Sequence, residues 1–232
     1  MRPKRIFLVR HGESEGNANW ELYKTIPDWQ LLLTKQGSHQ AYVAAENLSK
    51  EVSREALIRI YSSPWKRARQ TAEAFKGFFP NHVYREDPRL REQEWGNYQE
   101  AHLAEKIERE RDQFGTFFYR MPYGESGADV YDRISSFLDT LHRDFEKPNF
   151  PENALIVSHG LTMRLFLMRW FHWSVEQYEA LKNPDNCEIL EMRQLSNSAK
   201  YVLMSKMKRK DGTDYVDPRA GQAELKEMLD LI

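Results

Sequence analysis

Short apolar runs alternate along this chain with segments whose apolar residues recur every three or four positions. Ile6-Phe7-Leu8-Val9, Leu57 to Tyr61, Val83 to Arg85 and Leu155 to Ser158 have the length and side chains of strands. Between them, residues 34–52 place Ala41, Ala44, Ala45 and Leu48 on one helical face. Ser63 reads as the N-cap, and Pro64 as the first residue, of a helix running to about Phe78. Ser126-Gly127-Ala128-Asp129 is a capping-box variant, and the helix after it aligns Val130, Ile134, Leu138, Leu141 and Phe145. Leu161 to Phe171 is a further helix, and Glu188 to Leu195 with Lys200 to Met207 form a closing hairpin around Ser196-Asn197-Ser198. Strands alternating with helices predict an α/β fold with a mostly parallel sheet covered on both faces.

No internal repeat or Gly/Ser linker divides the chain, so residues 1–207 read as one domain. Residues 97–123 read as an insertion at the mouth of the site, charged and moderately helical from Gln99 to Phe118. Residues 208–232 read as a polar tail, beginning with a solvated loop at Lys208-Arg209-Lys210-Asp211-Gly212. The 232 residues suffice for one substantial core, and 41% apolar with 30% charged residues is a globular balance. A formal net charge of -1 argues against nucleic-acid binding by bulk electrostatics. The single cysteine, Cys187, allows no disulfide within the chain and no thiolate cluster, and its apolar surroundings predict a small buried hydrophobe. No apolar run is long enough for a membrane span or a signal peptide, so a cytoplasmic location is expected; the sequence carries no signal of oligomeric state.

The chemistry concentrates at two strand ends. Ile6-Phe7-Leu8-Val9 runs into Arg10-His11-Gly12, and Leu155-Ile156-Val157-Ser158 runs into His159-Gly160. In α/β proteins ligand sites lie beyond the carboxyl ends of the strands. Two imidazoles there, one with a guanidinium beside it, point to phosphoryl chemistry. Such transfer without a metal needs cationic donors for the phosphoryl oxygens, an in-line nucleophile and an acid for the leaving oxygen. His11 is the candidate nucleophile and Arg10 a flanking donor. Arg67, in the first turn of the helix after Ser63, adds its charge to that of a helix N-terminus. Glu92, in the loop Arg89-Leu90-Arg91-Glu92-Gln93-Glu94-Trp95-Gly96, is the candidate proton donor. Arg10 and Arg67 are expected to lower the pKa of His11 and keep it neutral. Taken singly, each of these residues also fits an ordinary structural role; their recurrence at one end of the α/β elements favours the chemical one.

Leu8-Val9-Arg10-His11-Gly12-Glu13-Ser14 resembles the signature of the histidine phosphatase superfamily, in its phosphoglycerate mutase-like branch. The resemblance extends through Asn17, Ser62-Ser63-Pro64 with Arg67-Ala68 and Thr71-Ala72, Leu90-Arg91-Glu92, Gly124-Glu125-Ser126 and Val157-Ser158-His159-Gly160, in the family's order. It implies a three-layer α/β/α sandwich and a phosphohistidine intermediate on His11. It also implies a phosphate pocket of Arg10, Arg67 and His159, assisted by Asn17 and the Gly160 backbone. Glu92 would be the general acid that later activates water. No metal or other cofactor is expected, and the partner would be a small phosphorylated molecule.

Within that family the mutases carry a tyrosine and a lysine after the acid loop and an arginine pair in the central insertion. Here Trp95 stands at the tyrosine position, no lysine lies near Leu103, and Arg109, Arg111 and Arg120 are not adjacent. Each missing cation would cost a second phosphate on the order of 1.5–3 kcal/mol. The expectation is therefore a phosphomonoesterase, with a phosphoglycerate mutase or bisphosphoglycerate phosphatase as the alternative and a non-catalytic phospho-ligand-binding module behind both. In the loop from Trp20 to Leu33, Tyr23, Thr25 and Asp28 are candidates for the entrance, and Trp20, Tyr23, Trp29 and Trp95 for an apolar rim.

Overall fold

The computed structural model describes residues 2–96, 101–195 and 198–221. In chain order the elements are β1 (Arg5–Arg10), α1 (Glu15–Ala18), α2 (Lys35–Glu51), β2 (Ile58–Ser62), α3 (Lys66–Phe78), β3 (His82–Glu86), α4 (Ala101–Phe114) and α5 (Gly127–Phe145). There follow β4 (Asn153–Ser158), α6 (Gly160–Phe171), α7 (Val175–Glu179), β5 (Ile189–Gln194), β6 (Tyr201–Leu203), β7 (Met207–Lys208) and β8 (Asp214–Tyr215). Six strands form one sheet in the order β3-β2-β4-β1-β5-β6. β3, β2, β4 and β1 run parallel; β5 and β6 add an antiparallel edge.

The period-two alternation of strand side chains divides the core into two layers, giving an α/β/α sandwich. In β1, Ile6 and Leu8 pack with Ile134, Leu138 and Leu165 of α5 and α6. Phe7 and Val9, on the other face, pack with Ala41, Ala45, Ala68 and Phe75 of α2 and α3. β4 does the same, sending Ile156 to the first layer and Val157 to the second. Small residues on α2 and α3 bring both helices close to the sheet. The start of α2 and the turn after β1 meet backbone to backbone: a Cβ at Gly12 would stand 2.4 Å from the Gly37 carbonyl oxygen, and one at Gly37 would stand 2.0 Å from that of Glu13.

Several elements differ from the sequence pattern. α3 begins at Lys66 with Trp65 as its N-cap, not at Ser63 and Pro64. Ser63 instead prolongs the sheet, its N–H donating to the Val157 carbonyl (2.9 Å), and its hydroxyl is engaged elsewhere. Arg67 nevertheless stays in the first turn. The predicted insertion contains α4, while residues 97–100 lie outside the described residues, as do Ser196 and Asn197 of the predicted hairpin turn.

In the predicted tail, residues 208–212 contribute to a small hairpin, β7–β8, after which the chain packs back on the body. Tyr215 meets Trp173 edge-on, and the buried Asp217 accepts from the Leu203 N–H and from Arg219. Residues 222–232 lie outside the described residues. Cys187 is buried as expected, and burial pushes its thiol up to about 12. No helix among the described residues is long and apolar enough to cross a membrane.

Candidate active site

Strand register brings the two histidines together. Arg10 lies opposite Ser158 across the β1–β4 pair, so the next residues, His11 and His159, leave the sheet side by side. On the other side of β4, Ser62 pairs with Val157, which delivers Ser63 to the same end. The imidazole centroids are 5.0 Å apart, with the rings edge to face at 63°.

His11 is buried. Its Nδ1 lies 2.7 Å from the Gly12 carbonyl oxygen, and that acceptor places the ring proton on Nδ1. Nε2 is left as a lone pair, and it accepts from Arg67 Nε at 3.1 Å. Burial, then the charges of Arg67 and Arg10, hold the His11 pKa well below the usual histidine range. The site thus presents a neutral imidazole of fixed tautomer beside two guanidiniums. Arg10 is held by the Pro184 carbonyl at 2.7 Å, while its buried Nε has no partner among the described residues.

His159 is fully buried, and its Nε2 lies 2.8 Å from Ser63 Oγ. The Ser63 oxygen also accepts the Trp65 N–H; with the Ser63 proton directed to Nε2, the ring proton of His159 stands on Nδ1. That Nδ1 has no partner among the described residues, and the ring lies directly against His11. Burial and the Arg67 charge lower this pKa as well.

Glu92 is carried by the loop after the short helical turn Pro88–Leu90, and it bridges to the start of α6. Its carboxylate accepts from the N–H groups of Leu161 (3.2 Å) and Thr162 (3.1 Å) and from the Thr162 hydroxyl (2.8 Å). A helix N-terminus supplies such donors and favours negative charge. Asn17 commits its Oδ1 to the Ser14 N–H in a capping box and to Asn186 Nδ2, which leaves its own amide N–H groups for a ligand.

Arg10, His11, Asn17, Arg67 and Glu92 line one cavity of about 850 Å³. His159 stands behind His11 against Trp65, and Gly160 opens α6 where a Cβ would meet the Asn183 side chain at 2.8 Å. Tyr23, Thr25, Asp28 and the aromatics Trp20, Trp29 and Trp95 of the predicted rim line the same cavity.

Sequence reasoning missed several contributors. Asp28, considered only for the entrance, accepts from Arg67 Nη1 at 2.6 Å with its side chain and 2.8 Å with its carbonyl. Asn183 lines the cavity from the loop before β5 and is held by Arg164 at 2.8 Å. Arg133 of α5 donates to the carbonyls of Arg89 (2.6 Å), Arg91 (2.8 Å) and Glu92 (3.0 Å), while Glu125 holds its other edge. A guanidinium clamped on three carbonyls of the acid loop has no local sequence signature. Arg133→Met is expected to lower kcat roughly ten- to a hundredfold, with KM for the phosphoryl group nearly unchanged. Steady-state kinetics checks this, and an equal rise in KM would assign Arg133 to binding instead.

The description "Histidine phosphatase superfamily (branch 1)" matches residues 6–206 of the chain. A "Phosphoglycerate mutase-like protein" of Arabidopsis thaliana is 46% identical over 217 residues, covering 88% of this chain and 68% of that protein. A "Broad-range acid phosphatase" of Saccharomyces cerevisiae is 30% identical, covering 87% of this chain and 89% of its own. Among solved structures, a mycobacterial glucosyl-3-phosphoglycerate phosphatase superposes with a TM-score of 0.67 at 22% identity, over 86% of this chain and 96% of that one.

Proposed function

The chain belongs to the histidine phosphatase superfamily, branch 1, and on that premise we propose that it is a metal-independent phosphomonoesterase working through a phosphohistidine on His11. The observation that carries the reading is the buried His11 ring with Nδ1 against the Gly12 carbonyl oxygen and Nε2 facing the Arg67 guanidinium. In the first step the phosphoryl group of an ester displaces the Arg67 Nε–H from His11 Nε2, and that donor passes to a phosphoryl oxygen. The Nε2 lone pair then forms the P–N bond as the P–O bond to the alcohol breaks. Glu92, which takes up a proton along with the entering phosphate dianion, gives it to the departing oxygen. Arg10, Arg67, the His159 Nδ1–H and the Asn17 amide hold the three equatorial oxygens, whose charge the pocket meets without a metal.

In the second step Glu92, now a carboxylate, takes a proton from water as the water oxygen attacks phosphorus. The P–N bond breaks, its electron pair returns to Nε2, and inorganic phosphate leaves. A water nucleophile, and not a second phosphorylated substrate, is favoured by where the insertion's cations point. Arg111 lies 4.7 Å over the Trp95 ring and donates to Gln93, and Arg120 is held by Asp129 at 2.7 Å. The name of the yeast relative, an acid phosphatase, agrees with hydrolysis.

The test is turnover of 4-nitrophenyl phosphate by the purified chain in excess chelator. Steady release of inorganic phosphate, unchanged by chelator, is expected. Loss of activity in chelator, or transfer of the phosphoryl group only to a phosphoglycerate, would overturn the reading.

A further inference from the structure

The cavity divides electrostatically. Its floor, at Arg10, His11 and Arg67, is cationic, but the walls beyond it are not. The other two cations among the described lining residues are already neutralised: Lys24 pairs with Glu21, and Arg69 with Glu86 at 3.2 Å. Against them stand the carboxylates of Asp28 and Glu94. Asp28 touches Arg67 with Oδ1, whereas the Glu94 carboxylate makes no hydrogen bond or ion pair among the described residues. The two interact: burial raises the pKa of each, and Asp28 raises that of Glu94 further. Four aromatic rings, Trp20, Tyr23, Trp29 and Trp95, complete these walls.

A leaving group emerging from the phosphate floor enters a chamber of aromatic faces and carboxylates. Lys24, Lys66 and Arg111 already stand over one face of Trp20, Trp29 and Trp95, so an ammonium there meets the Tyr23 ring, the remaining faces and opposite charge. Beyond the floor, a carboxylate or second phosphate meets like charge and, among the described lining residues, no cation that does not already hold a carboxylate. Resting on the proposed hydrolysis, we infer that Asp28 and Glu94 select phosphomonoesters whose leaving alcohol carries an ammonium group, that is, amino-alcohol phosphates. Neither residue takes part in bond making; both act on the part of the substrate that departs.

Three small esters of similar length test this at pH 7.5: 2-aminoethyl phosphate, propyl phosphate and phosphoglycolate, with 4-nitrophenyl phosphate as a measure of hydrolysis itself. The expected order of kcat/KM is cationic over neutral over anionic, each step about tenfold. Glu94→Gln is expected to compress the cationic-to-anionic ratio from about a hundredfold to about tenfold, and Asp28→Asn, which keeps an acceptor for Arg67, to compress it separately by a similar factor. Phosphoglycolate turned over as well as 2-aminoethyl phosphate, or a ratio unmoved in Glu94→Gln, would overturn the selection while leaving the hydrolase intact. Hydrolysis of the aryl ester alone would also overturn it, because an ammonium would then have gained nothing. Failure of all four esters would remove the proposed hydrolysis and the selection together.

Discussion

His11→Ala is expected to lower kcat by about 10⁴-fold or more, with phosphate binding weakened far less. The nucleophile disappears, whereas Arg10, the His159 Nδ1–H and the Asn17 amide remain to bind the anion. Arg67 keeps its grip on Asp28 through Nη1, so its guanidinium stays in the pocket. Two measurements check the prediction: single-turnover kinetics on an alkyl phosphate, and inhibition or titration by inorganic phosphate. Retained kcat would show that water attacks phosphorus directly and that His11 serves only binding. The wild-type pH profile carries the same signature. Because burial and two guanidiniums depress the His11 pKa, its neutral form persists below the range where an ordinary histidine protonates. As pH falls through about 6.5, the reference value for histidine, kcat/KM should therefore show no loss from this group. A loss centred there would place the nucleophile's pKa at an ordinary value and contradict the geometry.

Glu92→Gln is expected to separate leaving groups. With propyl phosphate, whose alkoxide needs a proton, kcat should fall about 10²- to 10⁴-fold. With 4-nitrophenyl phosphate, whose phenolate departs readily, the first step should fall much less. The second step lacks its base in either case, so the phosphorylated enzyme should accumulate with the aryl ester. A burst of 4-nitrophenol followed by slow steady-state release is the readout. Equal losses on both esters, with no burst, would assign Glu92 to positioning and leave the acid elsewhere. The substitution also turns an amide toward the Leu161 and Thr162 N–H groups, which at present meet a carboxylate. A stability cost of about 1–3 kcal/mol is expected for a donor left unsatisfied there. A melting curve separates that cost from the kinetic effect.

The sheet and the heart of the site were legible because one local pattern carries both. An apolar run ending in Arg10-His11 and a second ending in Ser158-His159 define two buried strands and, at the same time, what stands at their ends. Parallel pairing in the register Arg10 to Ser158 then places the imidazoles together. The residues that hold this arrangement were less visible, since their partners are distant in sequence. Arg133 reaches back 41 positions to the Glu92 carbonyl, and Ser63 meets His159 across 96. Ser63 also shows how a strong local signal is overridden. Ser-Pro favours a helix start, but the sheet's hydrogen bonds and the His159 contact claim Ser63 first, so α3 begins at Lys66. Asp28 opens a single short helical turn, Asp28–Gln30, in a segment whose sequence shows no periodicity, and only the folded chain brings it to Arg67. The polar composition after Lys208 likewise concealed the packing of Tyr215 and Asp217, each of which needs only one buried partner set.

The central claim is covalent: phosphorus passes from the ester to Nε2 of His11 before it reaches water. Rapid acid-free quenching of the chain with phosphorus-labelled 4-nitrophenyl phosphate, followed by peptide mapping under alkaline conditions, tests it directly. The account predicts an acid-labile, base-stable label on the peptide containing His11, increased in Glu92→Gln and lost in His11→Ala. A label on any other residue, or hydrolysis at full rate with no labelled peptide in Glu92→Gln, would contradict it.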